Sequence, residues 1–125
     1  MNANTFLRRL LLADAAISGV TGVLLLVATP MLARWLALPA ALLRDAGFSL
    51  LPFAALVLYL AKRDILPRGG VLAVIAMNLA WVIGSVALLF LVTSNPLGSA
   101  FVIVQAIAVA ALAEMQYAGL RRIAA

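Results

Sequence analysis

Cysteine and histidine are both absent from this chain of 125 residues. Without them the chain has no thiol chemistry, no disulfide, and no imidazole of its own to ligate haem or zinc. Carboxylates are scarce: Asp14, Asp45, Asp64 and Glu114 are the complete set. Unless they converge they cannot build the oxygen cage that a hard cation needs. Charge of either sign is rare, at 10% of residues against about 25% in an ordinary soluble domain. A phosphate-cradling glycine loop, a nucleophile beside an activating base and a cluster of metal ligands are also missing, and Gly69-Gly70 reads as a turn. The sequence therefore predicts no enzymatic turnover, no cofactor and no metal site.

What the chain has instead is apolar surface. Hydrophobic residues make up 67% and the mean hydropathy is +1.21, more than a water-soluble core can hide, so the excess must face lipid. The net charge of +5 does not mark a nucleic-acid binder. Nine basic residues stand in ones and twos at the ends of apolar runs rather than in a stripe.

The longest run, Val71 to Val92, has 22 residues and no formal charge. As a helix it covers about 33 Å, close to the ~30 Å hydrocarbon core of a bilayer. Four such spans are expected, at about 10–29, 46–61, 71–92 and 99–117, in one all-α membrane domain: an up-down four-helix bundle. The first run is longer than a cleaved secretory signal core and holds Asp14, so it is read as a span. Pro30 closes it. Between the first two spans, Arg34 and Trp35 among Met31, Leu32, Leu36 and Leu38 suit a short interfacial helix with tryptophan at headgroup depth. The second span is the least sharply bounded. Arg44 and Asp45 interrupt its beginning and Pro52 lies inside it. Lys62, Arg63, Asp64 and Arg68 form the most charged loop; Ser94, Asn95, Pro96 and Gly98 form an uncharged one.

Seven basic residues fall at the two termini and in the middle loop, and two, Arg34 and Arg44, in the other loops. This positive-inside asymmetry predicts cytoplasmic termini.

The candidate site residues are the polar ones inside spans. Asp14 and Glu114 lie about 8 and 11 Å from the neighbouring arginines along their helices, so each is expected to face the bundle or a wet crevice. They are either proton-binding groups or partners in interhelical bonds. Asn78, Trp81 and Ser85 share a face of the third span, and Gln105 lies near mid-membrane in the fourth. These four are either packing glue or a substrate-facing surface. Gln105 and Gln116 share a face nearly opposite Glu114. Small residues line the first helix (Ala15 and Gly19, Ser18 and Gly22) and the third (Ala76, Ala80, Gly84), so close helix contact is expected. The partners expected are the lipid bilayer and either another membrane protein or further copies of the chain.

The stretches FLRRLLLADAAISGVTG, LPAALLRDAGFSLLPFA, NLAWVIGS and AEMQYAGLRR resemble a group of small bacterial four-span inner-membrane proteins without an assigned activity. Across nearly the whole chain this implies the four-span layout and a bacterial inner-membrane location, and no mechanism. Asp14 in the first span and Trp81 in the third are similar to the acidic and aromatic positions of small multidrug resistance transporters. That resemblance implies proton-coupled movement of lipophilic cations through Asp14. The chain departs from it in having Asp rather than Glu, an extra apolar segment from Met31 to Leu43, and a second acid, Glu114.

Overall fold

The computed structural model describes residues 3–124. These form five helices: α1 (Ala3–Val27), α2 (Thr29–Leu36), α3 (Ala40–Ala61), α4 (Arg68–Leu91) and α5 (Pro96–Ala124). All but α2 are long and apolar enough to cross a membrane, and they run up and down as a polytopic bundle. The short α2 occupies the first loop, with Trp35 exposed and Leu36 buried, as an amphipathic interfacial helix requires.

The punctuation is local chemistry. α1 ends at Val27, and Pro30 stands in the first turn of α2, where its missing N–H costs nothing. Thr29 Oγ1 donates to the Leu25 carbonyl and, at 3.1 Å, to that of Leu26, joining the two helices. α3 starts at Ala40, so Arg44 and Asp45 lie within the helix with exposed side chains. Its 22 residues then reach about 33 Å, enough to span. α5 opens on an Asn95 cap: the side-chain oxygen accepts from Gly98 N at 2.7 Å, and Pro96 follows at the first helical position. The Asn95 amide also donates to the Trp35 carbonyl at 2.8 Å and ties the end of α2 to the start of α5.

Packing arranges the spans as α3, α1, α5, α4. α1 lies along α3 and α5, α4 lies along α5, and α3 touches α4 only marginally. α1 and α3 come closest at Gly22 and Gly47. A Cβ on Gly47 would meet the Gly22 carbonyl oxygen at 2.9 Å, so only glycine allows this approach. On α4 the small residues act differently: Ala76, Ala80 and Gly84 are exposed, and Gly84 has nothing within 4 Å of a built Cβ.

Two apolar cores close the bundle at its two ends. One, near the termini and the α3–α4 loop, gathers Leu7, Leu11, Val57, Leu60, Val71 and Val74 among others. The other, at the α2 end, gathers Leu25, Leu36, Leu38, Leu43 and Val102. Arg8 reinforces the first end by donating to the carbonyls of Ala61, Arg63 (2.7 Å) and Asp64 (3.3 Å). A cation placed on the C-terminal carbonyls of α3 opposes the negative end of that helix's dipole.

Candidate functional site

Polar side chains inside the bundle form two layers. In the layer nearer the termini, Asp14 of α1 is almost wholly buried and accepts three hydrogen bonds. Ser18 Oγ, one turn along the same helix, donates to Oδ1 at 3.2 Å. Asn78 Nδ2 of α4 and Gln116 Nε2 of α5 donate to Oδ2 at 2.9 and 2.8 Å. Asn78 Nδ2 also donates to Gln116 Oε1 at 3.1 Å, so three helices meet in one closed set of bonds. Acceptor capacity is what a carboxylate supplies, and two primary amides and a hydroxyl are what can fill it.

The second layer lies one to two turns toward the α2 end. Trp81 Nε1 donates to Gln105 Oε1 at 2.7 Å, and Gln105 Nε2 donates to Ser85 Oγ and to the Val102 carbonyl, both at 2.8 Å. Ser85 in turn donates to the Trp81 carbonyl at 2.8 Å. This layer joins α4 to α5 and leaves α3 out. Among the described residues no buried side-chain nitrogen or oxygen lacks a hydrogen-bond partner.

The structure thus brings Asp14 and Asn78 together, and separately Trp81, Ser85 and Gln105. It does not bring in Glu114. The expectation that both carboxylates face the interior is corrected: Glu114 is exposed on the outer face of α5. The reason is helical geometry, since Gln116 is two residues and about 200° away, and the face carrying Ala113, Gln116 and Leu120 is the one that packs inward. Gln116 and Ser18 belong to the Asp14 set, and reading by charge passes over them. The signals for them are the shared face of Gln105 and Gln116 and the one-turn spacing of Asp14 and Ser18.

Beside the polar layers the parting of α3 from α4 leaves a crevice. Its larger part, about 610 Å³, has walls of leucine, Trp81 and Phe101, with Asp45 its single charged residue. A smaller chamber of about 210 Å³ reaches Asp14 and Asn78. Ser49, Met77 and Trp81 line both. The described residues contain no group of three or more His, Cys, Asp or Glu side chains able to hold a metal ion. No protein-family model, no curated protein and no solved structure matches the chain.

Proposed function

We propose that this integral membrane protein is a non-enzymatic accessory subunit that acts by association within the bilayer of a bacterial inner membrane. The observation that carries the reading is Glu114. Its side chain is exposed, yet it lies two helical turns inside Arg121, about 11 Å along the axis. A carboxylate facing lipid at that depth is costly, and such groups characteristically face a protein interior instead. A membrane-spanning partner that brings a hydrogen-bond donor or a cation to Glu114 removes the cost. The internal polar groups support the same reading, because they are spent on one another as clasps between helices rather than left open for substrate.

The test is the mass of the full chain extracted in mild detergent at native expression. A species heavier than the monomer is expected, and Glu114→Leu should return it to the monomer. The mass also separates a homo-oligomer from a complex with an unlike subunit. A wild-type protein that is strictly monomeric and carries no partner overturns the reading.

A second reading, proton-coupled movement of lipophilic cations, is favoured by one observation: Asp14 lines the chamber that continues into the crevice. Asp14→Asn should then abolish substrate-dependent proton flux in reconstituted vesicles while the protein stays folded. An absence of such flux in wild-type vesicles across a panel of lipophilic cations ends this reading.

A further inference from the structure

The crevice between α3 and α4 lies on a different side of the bundle from Glu114 and has a chemistry of its own. Its exposed rim residues belong mainly to those two helices: Asp45 and Ser49 on α3, Met77, Ala80 and Gly84 on α4. The opening therefore faces sideways into the bilayer rather than toward either water phase. A volume of about 610 Å³ falls in the range of small-ligand sites, roughly 300 to 1,000 Å³.

Its length selects the ligand further. Along α4 the lining runs from Met77 to Leu88, about 16 Å of helix, which is half of a ~30 Å hydrocarbon core and so the depth of one leaflet. The polar groups of the floor, Trp81, Gln105 and Ser85, are already bonded to each other. Ser49 Oγ is held by the Asp45 carbonyl at 2.8 Å. A polar substrate would have to break these bonds, whereas a hydrocarbon chain need not.

At the α2 end the chemistry changes. Asp45, exposed near the start of α3, presents a carboxylate at the crevice. One carboxylate at the end of a chain-length apolar slot complements a headgroup that carries an ammonium. We infer that the α3–α4 crevice is a binding site for one phospholipid of the surrounding bilayer, an acyl chain filling the slot and a zwitterionic headgroup with its primary ammonium set against Asp45.

The test uses the full chain in nanodiscs made from equal parts phosphatidylethanolamine and phosphatidylglycerol, released for native mass spectrometry. The expected result is one retained phospholipid per chain, enriched in phosphatidylethanolamine over the input. Gly84→Trp should lose the retained lipid by filling the slot, since Gly84 lines it and a Cβ there meets nothing within 4 Å. Ala80→Phe is a second filling variant, and Ile83→Trp, exposed and outside the crevice, should keep the lipid. Asp45→Lys should shift the enrichment to phosphatidylglycerol. The site is overturned if wild type retains no lipid, or if both filling variants retain as much as Ile83→Trp. It is also overturned if the retained headgroups mirror the input in wild type and in Asp45→Lys alike. Subunit association through Glu114 is read separately, by protein mass, so either result can fail alone.

Discussion

At Asp14 the carboxylate works as an acceptor for donors from three places, and its substitutions separate geometry from charge. Leucine leaves Gln116 Nε2 without its acceptor in a buried site, which should cost about 1–3 kcal/mol. Asparagine can keep its oxygen where Oδ2 stands and turn its amide toward Ser18 Oγ, which accepts as readily as it donates. Asp14→Asn should therefore lose less than about 1 kcal/mol, within the span of hydrogen-bond effects measured between membrane helices. Reversible unfolding in mixed micelles compares the two. An asparagine variant as unstable as the leucine variant would mean that the charge itself matters, and would strengthen the proton-binding reading.

Element contacts make the next set of expectations. A methyl group added at Gly98 would lie 2.0 Å from the Leu36 carbonyl oxygen, while one added at Gly84 would meet nothing within 4 Å. Gly98→Ala should therefore lower the melting temperature clearly, because the α2–α5 contact has to open. Gly84→Ala should leave it unchanged or raise it, since alanine is the better helix former. The residue just past α2 adds a related detail: Ala37 sits in the left-handed region at φ 53°, which glycine adopts without penalty. Arg8→Met removes the cation from the end of α3 and should cost about 0.3–1 kcal/mol, less at high salt.

For the whole molecule the direction of insertion can be tested directly because the chain has no cysteine of its own. Lys62→Cys and Thr93→Cys, both at exposed positions in opposite loops, should react with a membrane-impermeant thiol reagent from opposite faces. The basic-residue asymmetry expects Lys62→Cys to be shielded in intact cells and Thr93→Cys to be labelled. The reverse pattern would overturn cytoplasmic termini without disturbing the bundle. The same scale explains the crevice. α1 meets α3 through glycine contact, and α1, α4 and α5 are held by the Asp14 set, but among the described residues no side-chain hydrogen bond crosses from α3 to α4, and these two helices touch only marginally.

Four apolar runs, their short turns, the interfacial segment around Trp35 and the polar residues worth watching were legible in the sequence, because span length and hydropathy are properties of consecutive residues. Which polar residues meet was not. Asp14 and Glu114 are alike in charge and in distance from the nearest arginines, yet one is enclosed by Asn78 and Gln116 and the other faces outward. That difference depends on how far α5 is rotated against α1 and α4. The stripe of Ala76, Ala80 and Gly84 shows the same limit: it allows a close neighbour, and here it borders an opening. Rotation about a helix axis, and the order of helices around a bundle, are settled by packing among all the spans together.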